Sequence, residues 1–192
     1  MSVQLTSPVE LCPISPNTLL SIREALPYEV GRIDWPFSDR QQFPELTNEL
    51  DFIAQTLKKA IEPRPTAVRF KVHKTDVLPG ANQIDYGWHF DDHSLIVVDS
   101  LPTEYLHGSV NIRHFGRQLT SVDGDFEKMS KKVSWLDKLS EDELAEHGLH
   151  VRTLRPYTLN FLGRNCLHRS PINTSDQPVA RTLVCADVKL AA

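Results

Sequence analysis

From Thr66 onward the chain breaks into short β-like runs separated by turn residues, and this constrains the fold more than any other feature. Val68-Arg69-Phe70-Lys71-Val72-His73 alternates apolar and polar side chains, as a half-buried strand does. A run from Ile84 to Asp91 follows the turn signal Pro79-Gly80. Ser94-Leu95-Ile96-Val97-Val98-Asp99 is continuously apolar, the signature of a strand buried on both faces. Ser109 to Phe115 alternates again, and Thr158 to Leu162 and Val179 to Val188 supply two more strands. Many short strands with turns between them predict a mainly β sandwich or barrel rather than a doubly wound sheet.

The first sixty or so residues read differently, mainly as helical packing elements. Ser15-Pro16-Asn17 opens a helix that runs to Leu26 and is stopped by Pro27. A second helix spans about Pro44 to Ile61, with Leu46, Leu50, Ile53, Ala54 and Leu57 stepping at three and four residues along one face. Glu62-Pro63-Arg64-Pro65 ends it, and Asp34 to Asp39, around Pro36, reads as a loop. The β region is interrupted by a charged helical insertion from about Asp125 to His150. There Ser140-Glu141-Asp142-Glu143 forms a capping box and Gly148 a stop. Such an insertion serves either as a lid over the barrel mouth or as a solvated connection.

At 192 residues the chain has the length of one domain, 1–192, with 1–65 as helical support and 66–190 as the β core interrupted at about 124–150. A net charge of −4 and a pI of about 6.0 leave no basic footprint for nucleic acid. No apolar run reaches membrane-spanning length, and the first residues show no secretory pattern. Cys12, Cys166 and Cys185 are odd in number and form no CxxC pair, so free thiols in a reducing, cytoplasmic setting are expected. Cys166 precedes His168 by two residues and reads as a small apolar filler on the same strand face, more than as a site-lining thiol.

Chemistry concentrates in Trp88-His89-Phe90-Asp91, in Asn165-Cys166-Leu167-His168 and in Arg181. On an extended strand His89 and Asp91 point the same way, and His168 must arrive from a neighbouring strand. Two imidazoles and one carboxylate, with coordination positions left over, are the ligand set of non-haem Fe(II) oxygenase sites. Arg181 lies in the otherwise apolar run Val179 to Val184, where a charge is costly unless something anionic meets it. Its planar fork suits a carboxylate. Trp88, Phe90, Phe161 and Leu183 are candidates to line an apolar pocket around the metal.

The set His89-Phe90-Asp91, a distant His168, Pro171 shortly after it and then Arg181 resembles the Fe(II)/2-oxoglutarate-dependent oxygenase superfamily over about Thr66 to Lys189. The resemblance implies a double-stranded β-helix (jelly-roll) core with flanking N-terminal helices. It implies Fe(II) on His89, Asp91 and His168, and 2-oxoglutarate anchored by Arg181. The implied reaction couples oxidative decarboxylation of 2-oxoglutarate, giving succinate and CO2, to O2-dependent hydroxylation of an unactivated C–H bond. Retention of a carboxylate at Asp91 argues for oxygen insertion over halogenation, since family halogenases carry a small residue there. The implied partners are O2 and a small-molecule, amino-acid or peptide substrate, with no membrane and no nucleic acid. The short chain leaves a homodimer partner as an optional contributor to substrate binding.

Other residues compete for these roles. His93 can replace Asp91 as a ligand, while Asp92 points away on a regular strand. Arg164 and Arg169 flank the distal histidine and are alternative carboxylate binders, though a solvated loop charge is the simpler reading. His73, His107, His114, His147 and His150 read as surface or structural residues, and Thr103 to Leu106 as an ordinary loop more than as a lining of the barrel mouth. A cupin-like metalloenzyme that does not use 2-oxoglutarate, or a non-catalytic jelly-roll binding module, would carry the same motif. No nucleophile elbow, phosphate loop or zinc ribbon points to hydrolysis.

Overall fold

The computed structural model describes residues 2–25, 30–36, 47–61, 65–83, 87–91, 94–111, 133 and 135–190. Eleven strands lie among them: β1 (Ser2–Gln4), β2 (Val9–Pro13), β3 (Val30–Pro36), β4 (Pro65–Val77), β5 (His89–Phe90), β6 (Ser94–Val98), β7 (Glu104–Asn111), β8 (Leu149–Thr153), β9 (Thr158–Leu162), β10 (Leu167–Arg169) and β11 (Val179–Leu190). They form two antiparallel sheets. The large one has the order β2-β9-β6-β11-β4-β3, and the small one β1-β7-β10-β5, with β8 also paired to β7. From β4 to β11 the chain crosses repeatedly between the sheets, the jelly-roll-like alternation expected of a mainly β fold.

Strand alternation gives each face of the large sheet its own core. Phe70 and Val72 of β4, Val97 of β6, Leu159 of β9 and Val184 and Ala186 of β11 pack against Leu19 and Ile22 of helix α1 (Pro16–Ala25) and Ile53 and Ala54 of helix α2 (Thr47–Ala60). Ile96, Val98, Leu162 and Leu183, on the other face, meet Cys166, Leu154 and Tyr105 from the small-sheet side. The central strand β6 is therefore buried on both faces, as its unbroken apolar run requires. A third cluster, with Trp88, Leu106, Leu136, Leu144, Leu149 and Leu167, covers the outer face of the small sheet with the helix α3 (Glu141–Glu146) and the 3-10 turn at Leu136–Lys138. Each fully buried side chain of this size contributes about 1.5–3 kcal/mol over leaving it in water.

The local signals for the helices hold. Ser15 Oγ accepts from the backbone N–H groups of Asn17 and Thr18. Both arms of the Ser140–Glu143 capping box are present, and Gly148 turns the chain out of α3 at φ +73°. The Pro44–Leu46 start of the second helix, Leu26 and Pro27, Phe37–Asp39, Ile84–Tyr86, Ile112–Phe115 and Asp125–Lys132 lie outside the described residues.

Several expectations fail in instructive ways. The N-terminal region is not only helical: it contributes β1, β2 and β3 to sheet edges. β2 is exposed or half-buried along its length and is held by its ladder to β9, so it leaves no hydrophobic period to read. Asp34–Pro36 belong to β3 rather than to a loop, because Pro36 ends an edge strand where a missing N–H costs no ladder bond. Glu104–Leu106 are strand β7, not loop, and Leu149 and His150 belong to β8 rather than to the insertion. Among the described residues no helix is long and apolar enough to cross a membrane.

Candidate metal centre

Two of the shortest strands position the candidate ligands. β10 lies between β7 and β5, with His168 directly opposite Tyr105 on one side and His89 on the other. Directly opposed residues share a face, so His89, Tyr105 and His168 all look toward the large sheet. Asp91 follows β5 with the same parity as His89. One ligand atom from each of His89, Asp91 and His168 lies within 4.8 Å of the other two, and this is the group of metal-ligand residues found among the described residues. His168 Nε2 is 3.4 Å from Asp91 Oδ2, and the two imidazole centroids are 4.3 Å apart at a 54° tilt.

The outer ring nitrogens fix the tautomers. His89 Nδ1 lies 2.8 Å from the Gly87 carbonyl, and His168 Nδ1 lies 3.2 Å from the Cys166 carbonyl. A carbonyl only accepts, so each Nδ1 carries the proton and each Nε2 presents its lone pair inward, as a metal ligand must. Burial, and then the neighbouring His168, hold the His89 imidazole below its ordinary pKa, favouring the neutral form that ligates. His168 is 3% exposed, while His89 and Asp91 are half-buried.

Arg181 is fully buried on the face of β11 that also carries Leu183. Its guanidinium donates to the Leu101 carbonyl (2.9 Å), Thr103 Oγ1 (3.1 Å), Ser170 Oγ (3.4 Å) and Gln83 Oε1. Sequence reasoning demands an anion beside it. Among the described residues its hydrogen bonds instead go to neutral oxygens. Burial outweighs the opposing pull of Asp99 and leaves its pKa lowered to about 10, so the charge persists at neutral pH. Ser170 links the two parts of the site, because it follows His168 by two residues and bonds Arg181.

The alternatives sort cleanly. Arg169 faces the opposite side of β10, where its Nε donates to Glu104 Oε2 at 2.6 Å and its guanidinium lies 4.4 Å from the Trp88 ring centroid. Arg164 is exposed in the turn before β10, and His107, His147 and His150 are exposed. His73 is half-buried rather than superficial, with a pKa lowered by burial, Lys71 and Arg181. Asp92, His93 and His114 lie outside the described residues. Cys166 is fully buried, and burial drives its thiol up to about 12, as an inert filler requires.

The expected apolar lining needs correction. Trp88 and Phe90 flank His89 in sequence, so alternation turns both to the outer cluster, and Phe161 packs on the helix side of the large sheet. Leu183 alone of the four faces the space between the sheets, with Ile96, Val98, Leu162 and Cys166. Sequence reasoning also missed Gln83 and Ser170, the partners of Arg181; Thr103, read as loop, does lie in the loop before β7 and bonds Arg181 from there. It missed Ser94 Oγ and Asn160 Oδ1 as well, which are buried on the inward faces of β6 and β9 and, among the described residues, have no hydrogen-bond partner. A buried unpaired oxygen costs about 1–3 kcal/mol.

No family model matches the sequence, and no curated protein matches it. Among solved structures, AviO1 from Streptomyces viridochromogenes Tue57 superposes with a TM-score of 0.52 at 14% identity, over 98% of this chain and 92% of that one. The Fe(II)/alpha-ketoglutarate-dependent dioxygenase TqaL gives 0.41 at 11% identity over 92% of this chain and 76% of that one. SnoK, a non-haem alpha-ketoglutarate-dependent carbocyclase from nogalamycin biosynthesis, gives 0.38 at 15% over 92% and 78%. At these identities the AviO1 likeness is one of fold, and the other two superpose too loosely to bear on function. What the chain presents is thus a jelly-roll-like sandwich with an HxD pair and a distal histidine converging on one inner wall, the arrangement that resembles Fe(II)/2-oxoglutarate-dependent oxygenases.

Proposed function

We propose that this protein is an Fe(II)- and 2-oxoglutarate-dependent dioxygenase that hydroxylates an unactivated C–H bond of a small organic substrate, an amino acid, peptide or metabolite. The observation that carries the reading is the convergence of His89, Asp91 and His168 to within 4.8 Å, with both imidazoles turned Nε2-inward. The alternating strands β4 to β11 read as the double-stranded β-helix of that superfamily. Two nitrogens and one carboxylate on one side of an ion suit Fe(II) and leave its other positions for ligands. When bound, iron and 2-oxoglutarate supply the O2 chemistry, releasing succinate and CO2.

The chain's own residues do the positioning. His89, Asp91 and His168 would hold the metal. Arg181, a charged fork aligned by Gln83, Ser170 and Thr103, would hold the distal carboxylate of the cosubstrate, with the neutral oxygens fixing the direction of the fork. Ile96, Val98, Leu162 and Leu183 keep the inner wall dry, which strengthens that charge–charge contact. Asp91 as the acid ligand fits hydroxylation.

The same four neutral oxygens around Arg181 support a second reading, a cupin-like metalloenzyme in which this arginine is structural and 2-oxoglutarate has no role. Supplying Fe(II), O2 and 2-oxoglutarate separates the two. A 2-oxoglutarate-dependent dioxygenase yields succinate as wild type and none as His168→Ala, which also loses iron. Stoichiometric iron binding with no succinate would favour the cupin-like reading.

A further inference from the structure

We infer that Asp137, in the helical insertion, is a positioning residue for His89 and acts through the single peptide unit that joins Gly87 to Trp88. The consequence for metal binding rests on the proposed function, though the geometry does not. β5 is two residues long and ends the small sheet, so its ladder joins only Phe90 to Leu167 and His89 to His168. So short an edge strand does not by itself fix a side-chain direction. Something else must hold it.

The insertion does. Asp137 Oδ1 accepts from the Trp88 N–H at 2.8 Å, and the Val133 N–H donates to the Trp88 carbonyl at 2.7 Å. Both anchors are set by the outer cluster: Leu136 and the Trp88 side chain are fully buried in it, and Leu136 N–H returns to the Val133 carbonyl at 3.0 Å. Gly87 adopts φ +61°, and a Cβ there would overlap the Asp137 carboxylate, so only glycine lets that carboxylate approach.

The Trp88 N–H and the Gly87 C=O belong to one planar trans peptide and point in opposite directions. Asp137 grips the N–H end. The His89 Nδ1–H is donated to the C=O end at 2.8 Å. The carboxylate therefore fixes the plane in which His89 finds its acceptor. It also polarises that carbonyl, because hydrogen bonds in a chain strengthen one another. The result is a carboxylate–histidine–metal relay with a peptide interposed, which sets the His89 tautomer, its ring direction and the basicity of its Nε2. His168 is embedded between two strands, and among the described residues no carboxylate enters its relay. Its Nδ1 meets the carbonyl of Cys166, the residue that leads into β10.

The test compares wild type with Asp137→Ala and with Asp137→Asn, which keeps an acceptor for the Trp88 N–H. One arm needs no metal: long-range proton–nitrogen correlation spectra of the apo protein report which ring nitrogen of His89 carries its proton. The expected result is a fixed Nδ1–H form in wild type and Asp137→Asn, and a tautomer mixture in Asp137→Ala with His168 unchanged. The second arm titrates Co(II) and reads its visible absorption. Affinity is expected to fall about 10- to 100-fold in Asp137→Ala and to stay within about 3-fold in Asp137→Asn, whose acceptor preserves the relay geometry. If Asp137→Ala does not fold, Asp137→Ser, whose oxygen is too short to reach, is expected to show the same loss. An identical His89 tautomer in all folded variants, or equal Co(II) affinity in all of them, overturns the inference. A tautomer that responds in a protein that takes up no Co(II) upholds the relay and refutes the metal reading instead.

Discussion

The two sheets are made by opposite means. The large sheet rests on long ladders, twelve residues of β11 against β4, with a packed core on each face. The small sheet carries the two candidate histidines on β5 and β10, two and three residues long, with Asp91 just beyond β5, and these short strands are braced by contacts outside the ladder. A scaffold that is over-determined by burial can support a site that is not. The arm at His89 is half-buried and propped by the insertion, while the arm at His168 is buried between two strands. If this division of labour is right, damage to one sheet should leave the other's property intact.

The largest separation is expected from Phe70→Ala in the large sheet. Phe70 is fully buried against the helices, so its truncation should cost about 3–5 kcal/mol of stability by denaturant titration. Metal affinity of the folded fraction should stay within about two-fold, because additivity holds for distant sites. A parallel loss of metal affinity would break the division. Next comes Arg181→Ala. Removing a buried charge from its partner typically costs about 2–5 kcal/mol, which calorimetry would read as a 2-oxoglutarate affinity loss of roughly 30-fold or more, with metal binding nearly unchanged. Equal 2-oxoglutarate affinity in wild type and variant would remove Arg181 from the site.

The smallest effect sharpens the boundary between the sheets. Cys166 is buried beside the site with its thiol raised to about 12 from about 9. Folding thus favours the neutral thiol, and that contribution is fully present below about pH 9 and lost as pH climbs toward 12. At about pH 8 iodoacetamide should leave Cys166 untouched in the native protein while labelling the half-buried Cys12 and Cys185, as peptide mass spectrometry would show. Rapid native labelling of Cys166 would mean that the space between the sheets is open to solvent.

The same contrast explains what the sequence discloses. Ser94–Val98 and Thr158–Leu162 are legible because burial writes an apolar run or an alternation into every residue of a long ladder. The caps at Ser15 and Ser140 are legible because they satisfy backbone donors with local side chains. β1 to β3 are not, since edge strands are held by backbone bonds that any residue can make. At the site, His89, Asp91 and His168 stand out because their chemistry is rare in combination. Gln83, Thr103 and Ser170 do not, because ordinary polar residues acquire a role only when three separate segments meet at Arg181. The misplacement of Trp88 and Phe90 has a simpler cause. The alternation that turns His89 inward turns its neighbours outward, and it has to be applied to both.

The most direct measurement is an anaerobic difference spectrum of the apo protein on addition of Fe(II) and 2-oxoglutarate together. An iron centre held by His89, Asp91 and His168 that chelates 2-oxoglutarate predicts a visible charge-transfer band that saturates at one iron per chain and is absent in His168→Ala. Iron that binds at that stoichiometry without any band, or a band that persists when His168 is gone, would contradict it.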